Sequence, residues 1–105
     1  MTKKEADKIK KILRKENAVF TSTAGYYDSG KEELRVKVAQ FLERSYSDFL
    51  TANTQTAQRE AETRKNIIKV LRALETNGTR PAYRLERNET TNAYGAWDCR
   101  YVIFK

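Results

Sequence analysis

Residues 31–77 read KEELRVKVAQFLERSYSDFLTANTQTAQREAETRKNIIKVLRALETN, a tract without Gly or Pro whose division decides the fold. Its first half places Leu34, Val38, Phe41, Leu42, Tyr46 and Phe49 at helical spacing. Its second half does the same with Ala57, Ala61, Ile67, Ile68, Leu71 and Leu74. Gly78, directly after Asn77, is a helix stop. One unbroken helix over these 47 residues would be about 70 Å long, whereas a compact domain of this size has a radius of gyration near ~13 Å. The stretch Thr51-Ala-Asn-Thr-Gln-Thr56 is β-branched and polar, a poor helix former. The tract is therefore expected to reverse at 51–56 and give two antiparallel helices.

Towards the N-terminus, Thr2 and Glu5 form a capping box that opens a helix from Lys3 to about Glu16. Ala6, Ile9, Ile12 and Leu13 make its apolar stripe. The opposite face carries Lys3, Lys4, Lys8, Lys10, Lys11, Arg14 and Lys15, so residues 1–16 hold seven positive and three negative groups, net +4. Residues 18–27 are β-branched, aromatic and nearly uncharged, which predicts a strand. Asp28-Ser29-Gly30 turns the chain, and Ser29 with Glu32 reads as a second capping box starting a helix at Lys31.

Beyond Pro81 the helical period ends. Tyr83 and Leu85 alternate with Arg84 and Glu86, then a polar loop runs from Asn88 to Gly95. Trp97, Cys99, Tyr101 and Ile103 next alternate with Asp98, Arg100, Val102 and Phe104. This pattern predicts a hairpin with a long connection. The last four residues before Lys105 are apolar on both faces, and that end is expected to be covered on both sides. The expectation is thus one domain over 1–105, of α+β class and order αβααββ. Three helices would pack on a small, mostly antiparallel three-stranded sheet, an arrangement similar to a winged helix. The expected core is Ile9, Leu13, Phe20, Leu34, Val38, Phe41, Leu42, Phe49, Ile68, Leu71, Leu74, Leu85, Trp97, Tyr101 and Ile103.

Composition narrows the chemistry. The 105 residues carry 21 Lys+Arg against 14 Asp+Glu, a formal net charge of +7, with no His and one Cys. A disulfide framework needs cysteine pairs, a Cys/His zinc site has no ligand set, and a Ser-His-Asp or Cys-His mechanism lacks its base. No metal and no cofactor is expected. No apolar run approaches the ~20 residues of a membrane span. The charged start, Met1-Thr-Lys-Lys-Glu-Ala-Asp-Lys8, is unlike a signal peptide. A cytoplasmic protein that begins near Met1 is expected. Cys99 is read as a small apolar filler on a strand.

A net charge of +7 on a small domain attracts phosphate. In a winged helix the third helix enters the major groove. Here it would present Gln55, Gln58, Arg59, Arg64 and Lys65, types that pair with adenine and guanine edges. Arg84 and Arg87 on the hairpin would lie near backbone phosphates, and Lys4, Lys8 and Lys11 could bind phosphate without sequence preference. Non-catalytic binding of nucleic acid, double-stranded DNA first, is the leading expectation. Six tyrosines in so short a chain suit half-wet contact surfaces, with Tyr27 and Tyr94 as interface candidates. The alternative is therefore a small protein-binding module or inhibitor, of the kind found on mobile genetic elements. Either way, a monomer or homodimer is expected. Tyr83-Arg84-Leu85 and Arg100-Tyr101-Val102-Ile103 distantly resemble strands of RelE-like ribonuclease toxins. That resemblance implies RNA cleavage by Arg, Lys and Tyr without His. The additional N-terminal helix, the long helices and the missing further strand depart from that family, so no enzymatic activity is expected.

Overall fold

The computed structural model describes residues 1–43, 56–93 and 95–105. Its element order is α1 (Lys3–Lys15), β1 (Tyr26–Asp28), β2 (Glu33–Glu43), α2 (Thr56–Thr76), β3 (Tyr83–Asn92) and β4 (Gly95–Phe104). The four strands form one antiparallel sheet in the order β1-β2-β4-β3. The fold is α+β, but the described residues hold two helices and four strands, in place of three helices on three strands. The winged-helix arrangement is overturned with it.

The capping box of α1 forms as expected. Glu5 N donates to Thr2 Oγ1 at 3.2 Å and Thr2 N to Glu5 Oε1 at 3.3 Å. Both helices close with the same geometry. Asn17, at φ 53°, donates to the Arg14 carbonyl, and Ala18 donates to that of Leu13. Gly78, at φ 77°, donates to Glu75 and Thr79 to Leu74. These are Schellman endings, in which a left-handed residue lets two orphan carbonyls be paired.

The expected strand over 18–27 shrinks to Tyr26–Asp28. Positive φ at Ala24 (61°) and Gly25 (142°) breaks the extended path before it. Asp28 Oδ1 then accepts from the amides of Gly30 (3.0 Å) and Lys31 (3.1 Å). This Asx-type turn leads into β2, and Ser29 and Glu32 start no helix; Glu32 itself sits at φ 54°.

The helix expected from Lys31 is the central strand β2, and the cause is a bulge. Lys37 pairs with Tyr101 and Ala39 with Arg100, so Val38 has no partner on β4. An extra residue shifts the side-chain alternation by one. Inward positions therefore fall at Leu34, Val36, Val38 and, past the shift, Phe41. The 34–38–41 spacing imitates one face of a helix. The bulge also releases the Val38 carbonyl, which accepts from Asn66 Nδ2 of α2 at 2.6 Å. Asn66→Leu removes that donor from a half-buried acceptor. It is expected to cost about 2 kcal/mol, read as a lower urea midpoint with unchanged slope. Of the expected reversal at 51–56 only Thr56, the first residue of α2, is described, and Phe49 lies outside the described residues.

Both helices cover one face of the sheet. The core joins Ala6, Ile9, Ile12 and Leu13 of α1 and Val70, Ala73 and Leu74 of α2 to Leu34, Val36, Val38, Val102 and Phe104. On β4 the inward set is thus Asp98, Arg100, Val102 and Phe104, the alternate of the one expected. Phe20, Ile68 and Leu85, expected inside, are 46%, 45% and 58% exposed. Phe41, Leu42, Leu71, Trp97 and Tyr101 are half-buried.

The C-terminal strand is covered on both sides, as expected, but by different means. Ile103 is fully buried although it faces away from the helices. Its neighbours across the sheet are Arg35 and Arg84. Arg84 pairs with Glu33, and Arg35 with Glu86 at 2.8 Å, so two ion pairs reach from β3 to β2 over β4. The aliphatic stems of the arginines roof the isoleucine while their heads stay wet. Arg35 also stacks on Tyr101, 4.8 Å from its ring centre. These hydrogen bonds hold the carboxyls of Glu33 and Glu86 below their usual range.

Candidate nucleic-acid interface

The arginines of the sheet are spent on structure. Asp98, buried on β4, accepts from Arg87 (Nε 3.0 Å, Nη2 3.1 Å), Arg100 (Nε 2.9 Å, Nη2 3.1 Å) and Arg59 (Nη1 3.5 Å). Arg100 also donates to Glu60 at 2.6 Å. Three guanidinium groups from α2, β3 and β4 thus converge on one carboxylate and tie the first turns of α2 to the hairpin. Desolvation pushes the Asp98 carboxyl up, but the bonds from Arg100 and Arg87 together pull it below its usual range. Asp98 and Glu60 in turn hold the Arg100 guanidinium charged.

This placement changes the role of three expected contact residues. Arg59 points inward, stacked on Phe41 (4.9 Å) and bound to Asp98, with its side chain 12% exposed. Arg84 is held by Glu33 and Arg87 by Asp98. Gln58 is exposed in the first turn of α2, and Gln55 lies outside the described residues. Tyr27 is half-buried. Its hydroxyl donates to the Met1 carbonyl at 2.8 Å, pinning the chain start to β1. Desolvation, then the charges of Glu32, Glu5 and Asp28, raise its pKa. Its neighbour Tyr26 is the exposed one, at 68%. Tyr94 lies outside the described residues.

The remaining candidates are brought onto one layer. Lys4, Lys8 and Lys11 are exposed on α1 and continue to Lys15, a row at i, i+4, i+7, i+11. Arg64 and Lys65 are exposed on α2, where Ala61, Lys65, Ile68 and Arg72 make a row of the same spacing flanked by Arg64 and Lys69. Among the described residues Lys4, Lys8, Lys11, Arg64, Lys65, Lys69 and Arg72 form no ion pair. The acids of the helices are mostly engaged elsewhere: Glu5 in the cap, Glu60 with Arg100, Glu75 with Arg80. Asp7 flanks the first row, and Glu62 stands about a quarter-turn from the second.

The α2 row borders an open groove of about 680 Å³ whose floor includes Ala18, Ala61 and Ile68. Lys69 and Arg72 were not singled out in the sequence, although their distance from Lys65 was the available signal. Asp98 and Arg100 were missed because alternation on a central strand does not say which face is covered.

Among the described residues no group of His, Cys, Asp and Glu could hold a metal ion, and no helix is long and apolar enough to cross a membrane. No protein-family profile, curated sequence or solved structure matches the chain.

Proposed function

We propose that the protein is a cytoplasmic, non-catalytic nucleic-acid binder that engages the phosphate backbone of double-stranded DNA through the outer surface of α1 and α2. One observation carries this reading. Among the described residues Lys4, Lys8, Lys11, Arg64, Lys65, Lys69 and Arg72 of the helices form no ion pair and are gathered along two rows, while the arginines of the sheet are neutralised by carboxylates. Free lysines on helix surfaces hold phosphates as point charges and release counterions, with no need to read bases. Cys99, single and buried, suits a reducing compartment.

The test is a titration with a mixed-sequence duplex over a range of salt. The log affinity is expected to fall with log salt at about −0.9 per phosphate engaged. Changing Arg64, Lys65, Lys69 and Arg72 together to Gln should flatten that slope by about 3 to 4 and leave the circular dichroism spectrum unaltered. Undetectable binding at low salt, or a slope the quadruple change leaves as it was, refutes the proposal.

The exposed Ile68 favours a second reading, an acidic amphipathic segment of a protein partner seated in the groove. Ile68→Asn separates the two. Phosphate contacts do not use its side chain, so duplex affinity should persist, whereas docking of an apolar helix face would be lost.

A further inference from the structure

Strand β3 is an edge strand of ten residues, and its outer margin is built to meet itself. The Ala82 carbonyl accepts from Lys105 N at 3.1 Å, on the β4 side. Antiparallel ladders alternate. The even-numbered residues of β3 therefore direct their amides towards β4, and Tyr83, Leu85 and Arg87 direct theirs outward. The same stretch exposes apolar surface. Leu85 is 58% and Tyr83 44% exposed, on the face that the helices cover elsewhere. A long edge with outward apolar side chains is a template for pairing unless charges oppose it.

Here charge selects one register. A second copy turned about a two-fold axis normal to the sheet sets Leu85 opposite its own equivalent. Tyr83 then meets Arg87 of the second copy, and Arg84 meets Glu86, each twice. Sliding by two residues in one direction sets Glu86 against Glu86, and in the other Arg84 against Arg84. Like charges directly opposite are destabilising. In the favoured register the Glu33–Arg84 and Arg35–Glu86 pairs continue across the seam as one ionic lattice. The guanidinium of Arg87, its side chain 56% exposed, then stands beside the ring of Tyr83 of the second copy, which meets Phe104 of its own chain in a T-shaped contact at 6.3 Å.

We infer that β3 is a homodimerisation edge, joining two chains into a continuous eight-stranded antiparallel sheet with all four helices on one side. Three hydrogen-bonded residue pairs, 83–87, 85–85 and 87–83, link the copies. This inference stands independently of DNA binding, since the dimer is measured without DNA.

Sedimentation equilibrium at up to about 100 µM should report a dimer for the full chain. Leu85→Lys places two ammonium groups face to face across the axis, at a site already exposed in the monomer. It should give a monomer with an unchanged circular dichroism spectrum. Facing residues of such a pair have Cα atoms about 5.5 Å apart, within disulfide reach. Leu85→Cys should therefore cross-link to its own equivalent on mild oxidation, whereas Thr91→Cys, on the same edge but far from its equivalent, should dimerise without cross-linking. A wild-type chain that sediments as a monomer throughout, a Leu85→Lys dimer as stable as wild type, or equal cross-linking at residues 85 and 91 each overturns the inference.

Discussion

Asp98→Asn is expected to lower the unfolding free energy by about 3 kcal/mol, because removing the central carboxylate of a buried ion cluster leaves excess positive charge enclosed. Arg100, with its side chain 9% exposed, and Arg59, at 12%, would keep their charges without the carboxylate they surround. Arg87, at 56%, can turn to water, which holds the loss at the lower end of what a fully enclosed cluster costs. The effect has a pH signature of defined sign. The Asp98 carboxyl lies lower in the folded state than its ordinary value. Its contribution is present above the unfolded-state value of about 4 and disappears as the pH falls through the lower folded value. Urea midpoints of wild type and variant should differ most at neutral pH and converge in acid. A gap that stays constant down to pH ~2 would show that the loss comes from packing.

Phe104→Ala should cost about 4 kcal/mol with no such dependence. Phe104 is fully buried where β4 meets Leu34 of β2, with Tyr83 edge-on to its ring. Truncation removes transfer energy and leaves a hole between sheet and helices that the rigid strands close poorly. A domain of this length is stable by roughly 5–15 kcal/mol in total, so the variant should melt far below wild type in calorimetry. A shift as small as that of an exposed-site substitution would place Phe104 outside the core.

Much of the fold was legible where the signal was local. The capping box of α1, the Gly78 ending of α2 and the two C-terminal strands each depend on neighbours within a few residues, and each is found, although residues 88–92, expected in a long polar loop, extend β3 to Asn92. The tract 31–43 was misread for a physical reason. Inserting Val38 into an alternating strand puts a spacing of three, Val38 to Phe41, after the four from Leu34 to Val38, and only the pairing with β4 exposes the difference. The β4 face was misassigned because aromatic residues look more like a core than Asp98 and Arg100 do. Those charges are buried only because Arg87 and Arg59 arrive from elsewhere in the chain to meet them. The candidate interface was half legible. Charge type and helical spacing pointed to Lys4, Lys8, Lys11, Arg64 and Lys65. The pairing of Arg59, Arg84 and Arg87 depends on contacts between residues 11 to 51 positions apart.

The two margins of the sheet are unequal, and this limits how far the molecule can grow. On the side opposite β3 the outermost strand is three residues long, and the strand behind it is kinked at Val38, whose carbonyl is already occupied by Asn66. Among the described residues that border is a short strand backed by a kinked one. Lateral addition at β3 is self-facing and consumes the long straight border that the described residues present, so it terminates at a pair and does not seed a fibril.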